Sequence, residues 1–119
     1  MGKVTAGEIL RRVEEHVPNS IAREEKLRWL SQAEGMIYRE ILGDASELPA
    51  VGMLTMLTVE SPYETLYERY VEAQLFYTLG EIERYNNAAA AWNGAYAAYK
   101  DYVNRNAAPE DRRRTLKIC

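Results

Sequence analysis

Cysteine and histidine are almost missing from this sequence: Cys119 and His16 are the sole examples of each. One cysteine excludes a disulfide within the chain and a thiolate cluster, so a reducing cytoplasm is the expected setting. One histidine excludes a paired-histidine zinc site. A di-iron bundle needs histidine three residues after glutamate, and Val13 occupies the place that glutamate would take before His16. No Gly-rich phosphate loop and no nucleophile elbow is present. Long apolar runs are missing as well, since none approaches the roughly 20 residues of a membrane span. The opening Met1-Gly2-Lys3-Val4 has no signal-peptide core, and the residues after Gly2 fit a myristoylation signal poorly. These absences lead to the expectation of no enzyme, no catalytic residue, no cofactor and no metal. His16 reads as a helix-end residue near the carbonyl dipole. Glu81, Glu83 and Arg84 read as a solvated helix surface.

What is present suits one globular domain. Charged residues make up 28% of the 119 and hydrophobic ones 47%. A chain of this length buries roughly two-thirds of its unfolded surface on folding. The charge is unevenly spread. From Asn106 onward there are four basic residues (Arg112, Arg113, Arg114, Lys117) and two acidic ones (Glu110, Asp111), a tail of +2. That leaves 11 basic and 16 acidic residues in the body, or −5. An acidic body argues against a nucleic-acid-binding domain, which needs a basic face to displace counterions.

Apolar periodicity predicts an all-α fold, a bundle of about four helices at about 5–17, 20–42, 62–79 and 81–105. A long connector spans 44–60, and an extended C-terminal tail follows a helical domain of residues 1–106 and occupies 107–119. The organising stretch is Ile82 to Val103. Ile82, Tyr85, Ala89, Trp92, Tyr96, Tyr99 and Val103 recur at three- and four-residue steps and so share one helix face. Glu83, Asn86, Asn87, Asn93, Lys100, Asp101 and Asn104 take the opposite face. Ala88, Ala90, Ala91, Gly94, Ala95, Ala97 and Ala98 keep this helix thin, so other backbones can approach closely.

The other helices carry their own punctuation. Thr5 with Glu8 reads as a reciprocal capping pair, Ile9, Leu10 and Val13 as an apolar face, and Pro18 as the stop. Asn19 or Ser20 is the expected cap of the second helix, with Gly43 as its left-handed terminator. Leu27, Leu30, Ile37 and Ile41 form one stripe of that helix, with Trp29, Ala33 and Met36 beside it. An arc that wide implies burial against more than one neighbour. Gly35 is placed for a close crossing. Ser61-Pro62-Tyr63-Glu64 reads as cap, first helical position and capping box. The stripe Tyr63, Leu66, Tyr67, Tyr70, Ala73 and Tyr77 follows, and its phase changes near Leu79-Gly80, so a break is placed at Gly80. In the connector, Met53 to Val59 carries apolar residues that either form a short strand or fold back on the bundle. After Arg105 the periodicity ends, and Pro109 with the run Glu110 to Arg114 reads as an exposed tail, expected to be disordered in the free protein; Thr115 to Cys119 alternate weakly, as an edge strand added to a partner's sheet would.

Tyrosine joins large apolar area to a polar tip and is enriched at interfaces. Tyr67, Tyr70, Tyr77, Tyr85, Tyr96, Tyr99 and Tyr102, with Trp92, crowd the second half of the chain. At helical spacing such residues serve either the core or an interface between molecules.

Three stretches together resemble one family. Leu27-Arg28-Trp29-Leu30 with Ala33-Glu34, then Tyr63-Glu64-Thr65-Leu66-Tyr67-Glu68-Arg69-Tyr70, then Tyr85-Asn86-Asn87-Ala88 with Trp92, Ala95-Tyr96, Tyr102 and Asn104-Arg105 are similar in order and spacing to the head–tail connector (adaptor, or head-completion) proteins of tailed bacteriophages and prophages. Gly80 before Glu81-Ile82 resembles that family's helix break. The resemblance spans roughly residues 5 to 106. It implies a structural virion protein whose copies, about twelve, form a ring under the portal and extend the DNA channel. The implied partners are the portal protein, the next connector or tail protein, and further copies of the chain. DNA passes without specific binding, and no membrane is involved. The location is the capsid vertex, reached from the host cytoplasm.

On this basis Arg112, Arg113, Arg114, Leu116 and Ile118 are expected at the portal. Trp29, Met36, Tyr85, Trp92, Tyr96 and Tyr99 are expected between subunits, and Met53, Met56 and Leu57 on the tail side. A small helical protein-binding or regulatory adaptor module shares the same fold and the same lack of chemistry. A ligand-binding or enzymatic bundle needs convergent polar groups around a concave site, and no such set is apparent.

Overall fold

The computed structural model describes residues 2–44 and 48–106. Four α-helices follow in the expected order: α1 (Ala6–His16), α2 (Arg23–Met36), α3 (Thr65–Leu79) and α4 (Ile82–Arg105). No strand occurs among the described residues; one isolated antiparallel bridge pairs Thr5 with Met56. The tail 107–119 lies outside the described residues.

At α1 the Thr5 Oγ1 accepts from the Glu8 N–H at 3.1 Å. The Glu8 carboxylate turns to Arg11 and Arg12 rather than back to the cap. Ala6, Ile9, Leu10 and Val13 are buried. The cap expected for α2 is not made: Ala22 holds that position without a side-chain bond. Asn19 is used in the loop instead. Its Oδ1 accepts from the Ile21 N–H at 3.0 Å and from Lys26 Nζ at 3.1 Å, while its Nδ2 donates to Val17 O at 2.8 Å. Such local bonds compete with capping and delay the helix to Arg23. Gly43 takes the expected left-handed conformation, φ 70°, but Ile37–Ile41 before it form one π-helical turn. Gly35 has nothing within 4 Å of a would-be Cβ, so the expected close crossing is absent.

The capping box at Ser61 does not form. The Ser61–Pro62 peptide is cis, and the chain turns there, with Tyr63 N–H donating to Glu60 O at 2.9 Å. α3 begins at Thr65, and the Glu64 carboxylate is drawn away to Arg12 at 3.2 Å. The break at Gly80 is as expected. Its φ is 77°, Glu81 N–H donates to Phe76 O at 2.9 Å and Gly80 N–H to Tyr77 O at 3.2 Å. This is the Schellman pair that closes a helix end on glycine.

The centre of the fold is α3, not the stretch Ile82–Val103. α3 buries Leu66, Tyr67, Glu68, Val71, Glu72, Ala73, Leu75 and Phe76, whereas α4 buries only Ala88 and Tyr99. α3 packs against α1, α2 and α4. The antiparallel α3–α4 pair is held by rings: Tyr63 against Tyr102 (4.8 Å between centroids) and Tyr99 (5.8 Å), Tyr70 against Trp92 (4.9 Å), and Tyr77 against Tyr85 (5.5 Å). Tyr63, Tyr70 and Tyr77 recur every seven residues, as do Tyr85, Trp92 and Tyr99. A seven-residue period keeps two helices facing each other along a seam.

The connector folds back on the bundle and does not form a strand. Val51, Leu57 and Val59 are in the core. Its backbone meets the start of α1 through Ala6 N–H to Thr55 O at 3.0 Å, Gly7 N–H to Met53 O at 2.9 Å and Leu57 N–H to Val4 O at 2.9 Å. A Cβ at Gly7 would stand 3.0 Å from Met53 O, so a larger residue there would have to push the connector back by a few tenths of an ångström.

Candidate interaction surfaces

The buried polar groups hold the fold together. Glu34, on α2, accepts from the Thr58 N–H (3.1 Å) and hydroxyl (3.0 Å) through Oε2, and from the Tyr67 hydroxyl through Oε1. Tyr67 in turn accepts from the Val59 N–H at 2.9 Å. Burial, then the negative charge of Glu34, pushes the Tyr67 phenol far above its ordinary range, so it stays a donor. Glu64, Glu68 and Glu72 recur every four residues along α3 and are all buried. Arg12 of α1 donates to Glu64 (3.2 Å), Glu68 (3.1 Å) and Glu8 (3.2 Å). Glu64 Oε1 is buried with no hydrogen-bond partner among the described residues. Glu72 is 2.8 Å from Arg69 and 3.7 Å from His16, which ends α1 with its side chain exposed. Lys26, 2% exposed, donates to Glu14 at 2.7 Å. Among the described residues no group of three or more His, Cys, Asp or Glu is arranged to hold a metal ion.

Among the described residues exposed apolar side chains are grouped in two places, with Leu42 (39%) and Tyr102 (41%) exposed singly elsewhere. One is the turn between α3 and α4, where Tyr77, Leu79 and Ile82 are 65%, 45% and 58% exposed. Tyr77 and Ile82 therefore leave the inward stripes they are expected to join, because both lie at the α3–α4 turn, next to the break at Gly80. The other is the connector tip, where Leu54 is 88% and Met56 55% exposed. The two places lie at opposite ends of α3. Arg12 reaches Glu64 and Glu68 while His16 lies by Glu72, so α1 and α3 run parallel. The connector pairs with Thr5 just ahead of α1, hence near the start of α3, and the turn follows its end. The 15 residues of α3 put them about 20 Å apart along the axis at ~1.5 Å per residue.

The residues expected between subunits divide. Trp29 and Tyr99 are buried in the chain's own core, so their rings are covered without a neighbour. Met36, Trp92 and Tyr96 come together where α2 meets α4: the Tyr96 ring packs at a tilt against Trp92 at 4.9 Å, and its hydroxyl donates to Glu40 Oε1 (2.6 Å) with Met36 O also in reach at 3.3 Å. All three keep part of their surface exposed. Tyr85 is half-buried further along α4, against Tyr77. On the side of α4 opposite Trp92 and Tyr96, Ala90, Ala91, Gly94, Ala97 and Ala98 form an exposed small-residue face. Of the expected tail-side residues, Met56 is exposed and Met53 half-buried, but Leu57 is 0% exposed. Leu57 belongs to the core, and Leu54 takes its place at the surface. Arg112, Arg113, Arg114, Leu116 and Ile118 lie outside the described residues. The apolar turn escaped the sequence reading because Tyr77 and Ile82 fit helical stripes; the glycine between them was the available signal.

No family model matches the chain, and no curated protein or solved structure matches it either. No described helix is long and apolar enough to cross a membrane.

Proposed function

We propose that this chain is a head–tail connector of a tailed bacteriophage or prophage, a structural adaptor that assembles as a ring between the portal and the next connector or tail protein and extends the DNA channel. The reading rests on the order and spacing of the three sequence stretches that resemble that family. The helix order and the break at Gly80 agree with it. The observation that carries it is the pair of bare apolar surfaces at opposite ends of α3. A coupling protein joins different neighbours at different faces, and grouped apolar residues in water mark contact sites. Around the ring, each subunit offers two unlike patches to its neighbours. Tyr77, Leu79, Ile82 and Tyr85 form one, and the Met36–Trp92–Tyr96 junction between α2 and α4 forms the other. Leu54, Met53 and Met56 face the downstream protein. The tail, with Arg112 to Arg114, Leu116 and Ile118, docks on the portal by strand addition and pairing with acidic groups. The acidic body suits a channel wall, because it offers phosphates nothing to bind.

Mixing the purified chain with purified portal rings tests this by sedimentation. Addition of many copies per portal ring is the expected result. A portal that sediments unchanged would reject the reading. A one-to-one complex with a different protein would favour the regulatory adaptor module.

A further inference from the structure

At the C-terminal end of α4 three rings surround a cleft of about 250 Å³: Tyr63, Tyr99 and Tyr102, with Glu60, Ser61 and Pro62 at its edge. Tyr63 lies 4.8 Å from Tyr102 and 5.8 Å from Tyr99, and Tyr102 is 41% exposed. The potential in the cleft is negative. The Tyr99 phenol is raised by burial first and then by the charges of Glu34 and Glu60, and the carbonyl end of α4 adds to this. Tyrosine faces under a negative potential favour a planar cation, which stacks on the rings and meets a carboxylate at the edge. The chain already uses this contact elsewhere, where the Arg84 guanidinium covers Phe76 at 4.8 Å. Among the described residues no cation covers the Tyr63–Tyr99–Tyr102 cleft.

We propose that this cleft is an arginine-binding site and that its occupant is the chain's own segment Arg112–Arg114, returning in cis. The charges are complementary, since the tail carries +2 and the body −5. The tether is short and sufficient. α4 ends at Arg105, one turn past Tyr102. The six residue steps from Asn106 to Arg112 reach up to about 20 Å at ~3.3 Å each, and the return path is only about one helical turn, ~5.4 Å. The cleft thus holds the arginines of the free protein close to α4, and a partner that takes the tail must first draw them out. This inference stands apart from the connector reading, and its test contains no portal.

Cys119 is the sole cysteine, so the full-length chain accepts a single nitroxide label without mutation. Amide signals of Glu60, Ser61, Tyr63 and 99–102 should broaden most, and Glu83 at the far end of α4 least. Replacing Arg112, Arg113 and Arg114 together by glutamine should reduce broadening at the cleft to no more than that of the neighbouring amides of Asn104 and Arg105, and Tyr102→Ser should do the same with the remaining amide spectrum preserved. Broadening that is indifferent to the three arginines, or centred on the Tyr77–Ile82 turn, would overturn the proposal. So would broadening that appears only when label and isotope sit on different chains, because the occupant would then be a second copy.

Discussion

The Tyr67 hydroxyl stands between two elements of different origin: it donates to Glu34 of α2 and accepts from the Val59 N–H of the connector at 2.9 Å. With Thr58 on the other carboxylate oxygen, one phenol ties α2, α3 and the connector together inside the core. A carboxylate at 5% exposure is tolerable because its oxygens are bonded.

Tyr67→Phe removes the donor to Glu34 and the acceptor for Val59 while keeping the ring. Leaving buried polar groups unpaired costs about 1–3 kcal/mol each. Urea unfolding should show a lower midpoint at unchanged slope, by at least ~1 kcal/mol.

The same residue sets an alkaline limit. The folded state raises the phenols of Tyr67, Tyr70, Tyr96 and Tyr99, each chiefly by burial. Above pH ~10 the unfolded chain releases these protons and the folded chain keeps them. Stability is therefore complete below that pH and declines as pH rises through it. The urea midpoint should fall between about pH 9.5 and 11, and Tyr67→Phe should make that fall shallower.

The connector carries two leucines with opposite duties. Leu57→Ala, at 0% exposure, should cost about 2–5 kcal/mol. Leu54→Ser, at 88% exposure, should stay within ~0.5 kcal/mol by thermal unfolding. Combined with Met56→Ser it should still block joining of tails to filled heads.

At the α3–α4 turn, Tyr77→Ser with Ile82→Ser should leave helicity by circular dichroism unchanged, because both side chains are mostly in water. The proposed function expects the double variant to lose assembly on portal rings. Unimpaired assembly would remove this turn from the subunit contact.

Several features were legible from sequence because they follow local rules. Gly80 ends α3 where the stripe changes phase. Trp92, Tyr96, Tyr99 and Val103 turn toward the core or are partly covered by it, and Tyr85 packs on a smaller cluster of Ala73, Phe76 and Ala88. Two kinds of error have a common cause. Asn19 and Ser61 are good caps by type, yet the first is held by Val17, Ile21 and Lys26 and the second lies in the turn at Pro62. Tertiary surroundings overrode local preference. Likewise Glu34, Glu64, Glu68 and Glu72 are buried although a sequence reading sends charge to water. The four-residue steps of the glutamates at 64, 68 and 72, with Arg12 placed on α1 to meet the first two, were the available sign of buried ion pairs between α1 and the start of α3. Trp29 and Tyr99 are the reverse case: large aromatic residues suit an interface or a core equally, and only the packing of α2 and α4 on α3 decides for the core.

Electron microscopy of capsids that carry their portal, with and without this protein, tests mechanical coupling most directly. The account predicts an added ring of helical density beneath the portal, continuous with its channel and built from many copies of the chain. A portal vertex identical in both samples, with the protein left as free monomers in solution, would contradict it.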